Sequence, residues 1–159
     1  MSLSESESRQ IAESAMCRVL QTVVNSPVMA LNTDDSRIPN NAIPCLEGST
    51  SIYHHRLLCT VRLQVPQRFA EMAIGLLFDH GDSRASKIPA SLDLVSELCN
   101  MVAGKVSEFW SSQGLICLIG IPTVRFNPDF KLDSGRNMEV GRTHWICAGH
   151  WLGLVIETE

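Results

Sequence analysis

The sequence predicts an α+β domain in which a mostly antiparallel sheet of about six strands packs against two or three helices. Apolar residues recur at helical spacing in three segments, and stretches with strand character lie between and after them. The strand candidates also follow one another along the chain rather than alternating with helices, as antiparallel neighbours do. At 159 residues, 45% of them hydrophobic, the chain makes a single domain over 1–159 and supplies a core without metal or disulfide staples. The polar start, about residues 1–6, is expected to be disordered.

The first helix is placed at about Ser6 to Asn25, where Ile11, Ala15, Val19 and Val23 stand four apart beside Met16 and Leu20. Asn25-Ser26-Pro27 stops it. Val28 to Leu31 has strand character, and a polar loop, Asn32 to Asn41, follows. Cys45 to Tyr53 and Arg56 to Val65 make a hairpin; the second arm alternates Leu57, Cys59, Val61, Leu63 and Val65 with polar neighbours. Pro66 opens a short helix over Gln67 to Phe78, proline being favoured at a first helical position. After a loop, Pro89 precedes a long helix running to about Gln113 and closed by Gly114. One strand then lies at Leu115 to Gly120 or at Thr123 to Phe126, followed by a loop over Asn127 to Gly141. Thr143 to Ala148 and Leu152 to Thr158 close the sheet around a tight turn at Gly149-His150.

Charge narrows the function classes. Thirteen Lys plus Arg face seventeen Asp plus Glu, and the basic residues are scattered, so nucleic acid is not the expected partner. Apolar runs such as Leu115 to Pro122 are too short to span a bilayer, so no membrane insertion is expected. Cys17, Cys45, Cys59, Cys99, Cys117 and Cys147 include no CxxC pair, and the polar start has no apolar stretch behind it. These features predict a cytoplasmic protein with reduced thiols.

The long helix is the informative element. At 3.6 residues per turn, Val95, Leu98, Val102, Val106 and Phe109 fall within a sector of about 80° and form the buried stripe. On the opposite face Asp93, Glu97, Asn100 and Gly104 form a line within about 60°. Asn is a weak helix former and Gly costs about 1 kcal/mol relative to Ala, so both are poor choices for a merely solvated face. Gly admits close approach of another surface, and the Asn carboxamide offers a donor and an acceptor. Helix arithmetic alone leaves an ordinary solvated face open.

The string Asp93-Leu-Val-Ser-Glu97-Leu-Cys-Asn100-Met-Val-Ala-Gly104-Lys105 resembles the motif of the CheC, CheX and FliY phosphatase family. In that motif Asp or Ser is followed after three residues by Glu and after two more by Asn. The continuation through Gly104-Lys105, and Ile121-Pro122-Thr123-Val124 beyond it, resemble the CheX branch. Close similarity covers about residues 89 to 126, with a likeness of layout elsewhere. A second motif, present in CheC, would fall on the first helix, where Arg9, Glu13 and Met16 occupy the spacing, and Met16 is not Asn.

The resemblance implies a CheC/CheX-like fold and a phosphatase acting on the aspartyl phosphate of a CheY-like response-regulator receiver domain. Asn100 and Glu97 are the implied catalytic pair, Asn100 holding the attacking water and Glu97 pairing with the receiver's lysine. Gly104 and Asp93 are implied at the partner surface, Asp93 alternatively favouring the helix start. No metal site or cofactor of its own is implied, since the receiver supplies Mg²⁺, and a homodimer joined through sheet edges is. A non-catalytic receiver-binding or scaffold module of the same fold is the alternative. His54-His55 and His144-Trp-Ile-Cys147 lack metal-ligand spacing, and Trp145, His150 and Trp151 read as core aromatics of closing strands before they read as an interface.

Overall fold

The computed structural model describes residues 4–55, 57–77, 87–132 and 141–158. Among these are three helices and seven strands: α1 (Glu5–Val24), β1 (Val28–Leu31), β2 (Ile43–His54), β3 (Leu57–Pro66), α2 (Gln67–Leu77), α3 (Lys87–Ser112), β4 (Leu118–Ile119), β5 (Thr123–Phe130), β6 (Arg142–Cys147) and β7 (His150–Thr158). The strands form one sheet in the order β1-β6-β7-β3-β2-β4, with β5 also on β2, and every pairing is antiparallel. The expected α+β architecture therefore holds, with one strand more than expected.

Local chemistry sets the element ends. Ser4, Glu5 and Ser6, placed by sequence in a disordered start, open α1 instead. The Glu7 N–H donates to Ser4 Oγ at 3.3 Å and the Ser4 N–H donates to Glu7 Oε2 at 2.9 Å, a reciprocal capping box. Asn25 caps the other end in the left-handed region at φ 51°. The two candidate positions after α3 are both occupied, as β4 and the longer β5, and each pairs with a different part of β2. Gly120-Ile121-Pro122 separates them, and the Gly120 N–H donates to the Ser51 carbonyl at 2.7 Å. The last hairpin turns at Ala148-Gly149, one residue earlier than expected, because φ of 49° and 77° at these two positions makes the turn whose twist suits a two-residue hairpin.

The three helices cover one face of the sheet. Met16 and Leu20 of α1, Phe69 of α2 and Leu98 of α3 meet Leu46, Leu63, Leu154 and Trp145 from the strands in a single cluster. A smaller cluster, Leu31, Cys45, Phe130 and Trp151, forms separately from it. Trp145 and Trp151 are buried, as core aromatics should be. Four of the six cysteines are buried and all six are free thiols. Burial pushes the Cys45, Cys59 and Cys99 thiols up to about 12, so they pack as small apolar groups.

His144 is 4% exposed, and its Nδ1 accepts a hydrogen bond from the Trp151 indole at 3.2 Å. Burial first, and the Arg142 charge second, hold its pKa down at about 4 instead of 6.5. Above pH 6.5 the ring is neutral in folded and unfolded chains alike. Between pH 6.5 and 4 the unfolded chain binds a proton that the folded chain refuses, so stability falls across that window by up to about 3 kcal/mol. Urea unfolding at pH 7 and pH 4.5 should show this loss in the wild type and a smaller one in His144→Gln; equal losses would remove His144 as the cause.

Candidate functional site

Helix α3 is held along a wide face. Val95, Leu98, Cys99, Val102, Ala103 and Val106 are completely buried, and Trp110 is nearly so. Four of the five residues of the expected stripe lie in this set; Phe109 is only partly buried and Trp110 takes the deeper place. The buried sector is widened on the side of Cys99, Ala103 and Trp110 because α3 packs on α1 and α2 as well as on β2. A helix seated on so many side chains presents its outer face as a stiff platform.

On that outer face Asp93, Glu97 and Asn100 are exposed and Gly104 is half-buried, so the structure brings the four sequence-identified residues onto one line. Among the described residues no hydrogen bond or ion pair engages the side chains of Asp93, Glu97 or Asn100. Lys105, next to Gly104, is instead committed to Glu108, with Nζ to the two carboxylate oxygens at 2.9 and 2.7 Å. One role needs correcting. α3 begins at Lys87, with no acidic residue in its first turn, so Asp93 lies too far along to stabilise the helix start and belongs with the exposed line alone.

Gly104 is the informative position. A Cβ built there would meet nothing within 4 Å, so the chain's own packing does not require glycine. The contrast is with Gly48 and Gly153, where a Cβ would overlap the Cys99 and Gln64 side chains. A mid-helix glycine costs about 1 kcal/mol of helix stability. Next to this line, Ile11, Ser14 and Arg18 of α1 and Lys105, Glu108 and Phe109 of α3 border a groove of about 260 Å³.

The other sequence features fall elsewhere. Met16, at the position of a second motif, is 1% exposed and points into the core, so α1 offers no second carboxamide site. His54 Nδ1 lies 2.6 Å from the Ile116 carbonyl oxygen, bridging β2 to the segment before β4, and His55 occupies the hairpin turn at φ 41°. Among the described residues no group of three His, Cys, Asp or Glu side chains could hold a metal ion, and no helix is long and apolar enough to cross a membrane. Sequence reading missed a polar basin of about 570 Å³ among β2, β3, β5 and the start of β6; it is taken up below.

No family model matches the chain, and no curated protein does. Solved structures do. The chemotaxis protein CheX from Vibrio vulnificus superposes with a TM-score of 0.73 at 12% identity, over 96% of this chain and 99% of that one. A CheC-like superfamily protein from a Shewanella species gives 0.71 at 13% identity, over 96% and 97%. The CheX of the CheX–CheY–BeF3–Mg²⁺ complex from Borrelia burgdorferi gives 0.62 at 11% identity, over 95% and 97%. The fold is thus that of CheX and the CheC-like proteins over nearly the whole chain, as the motif helix led us to expect.

Proposed function

We propose that this chain is a CheX-like phosphatase that hydrolyses the aspartyl phosphate of a CheY-like receiver domain, docking through the outer face of α3. The observation that carries the reading is the single line of Glu97, Asn100 and Gly104: two polar side chains without a partner among the described residues and a glycine facing open space. The three make sense together if a second protein surface closes on α3.

An acyl phosphate is already activated, so its hydrolysis needs a water held in line and little else from the phosphatase. In the proposed complex the Asn100 carboxamide orients that water. The water oxygen attacks phosphorus, the bond to the aspartyl oxygen breaks, and the receiver recovers its carboxylate as phosphate leaves. Glu97, one turn earlier, pairs with the receiver's lysine and sets the depth at which Asn100 enters. Gly104, one turn later, lets the receiver's backbone approach. Asp93 borders the same contact. The receiver supplies Mg²⁺, and the partner's compartment is the cytoplasm. The pairing of a CheX with CheY in the Borrelia complex supports this choice of partner.

A homodimer belongs to the proposal. The sheet edge made by β4 and the segments flanking it exposes Ile116, Leu118, Ile119 and Ile121, an apolar margin of the kind that pairs with another edge.

The test is to phosphorylate candidate receivers with a small phosphodonor and follow phosphate loss with and without the protein. Wild type should shorten the receiver's phosphorylated lifetime. Glu97→Ala should raise the receiver concentration needed for half-maximal effect by about tenfold, the scale of one charge-assisted contact, and leave the saturated rate within about threefold. Gly104→Leu should weaken docking at least as much while raising the unfolding midpoint, since the helix loses a glycine that its own packing does not require. A wild type that binds receivers without accelerating phosphate loss would establish the non-catalytic module instead.

A further inference from the structure

We draw no further inference here: the strongest candidate, the polar basin of about 570 Å³ on the sheet face opposite the helices, carries none, because Arg125 and Arg62 are ion-paired with Glu47 and Glu157, Arg142 is partnered too, and Gln64 Oε1, packed over Gly153, has no surface open to a ligand.

Discussion

Asn100→Ala should abolish the acceleration of receiver dephosphorylation, by about a hundredfold or more, and leave receiver affinity within about threefold. The expected split follows from where the residue sits. Asn100 is exposed and its side chain makes no hydrogen bond among the described residues, so removing its carboxamide costs the folded chain nothing. Its only loss is the water it would hold in the transition state, and an interaction made only there lowers the saturated rate without changing binding. A hundredfold loss corresponds to about 2.7 kcal/mol, within reach of one well-placed hydrogen-bonding group. Asn100→Asp separates orientation from shape: the side chain keeps its size, loses its donor, and brings a charge toward a phosphoryl group, so it should be as inactive as the alanine variant. Full activity in Asn100→Ala would sink the assignment, and an equal loss of binding would make Asn100 a docking residue.

The motif helix was legible because its information is local. Val95, Leu98, Val102 and Val106 point inward for the same angular reason that Asp93, Glu97, Asn100 and Gly104 point outward, and the structure keeps both sets as spacing placed them. What spacing could not supply is how many neighbours the helix has. Packing against α1 and α2 as well as β2 widens the buried sector, which draws in Trp110 and leaves Phe109 at the margin. The alternative role for Asp93, at the helix start, fails for a related reason: Lys87 and Ile88, ahead of Pro89, already belong to α3, so its first turn forms earlier than the proline suggested. The polar basin had no such trace. Arg125, Gln64 and Arg142 come from three separated strands and line one basin through register alone, which depends on long-range pairing. Only Gly153, a glycine within an otherwise apolar strand, hinted at a close approach.

Gly48→Ala should destabilise the fold by about 1–3 kcal/mol, and Cys99→Ala should relieve a large part of that cost. Gly48 lies in β2 directly beneath α3, paired with Leu63 on one side and Val124 on the other. A methyl group there would overlap Cys99 Sγ and come within 3.1 Å of Val95 Cγ1. Both partners are fully buried, so neither can move aside without disturbing the core around it. The missing Cβ therefore sets how closely α3 seats on the sheet, at a point one residue from Asn100. Cys99→Ala alone removes a buried sulfur and leaves a small void, costing about 1 kcal/mol by itself. The double variant should be more stable than the sum of the two losses by at least about 1 kcal/mol, because the added methyl occupies the space the sulfur vacates. Urea unfolding of the four proteins measures this coupling, and strict additivity would show that Gly48 does not govern the seating of α3. Receiver dephosphorylation by the same four proteins extends the test from packing to catalysis. Gly48→Ala should slow it by raising the helix that carries Asn100, and the double variant should recover part of the rate, since placement of the carboxamide follows the contact beneath it.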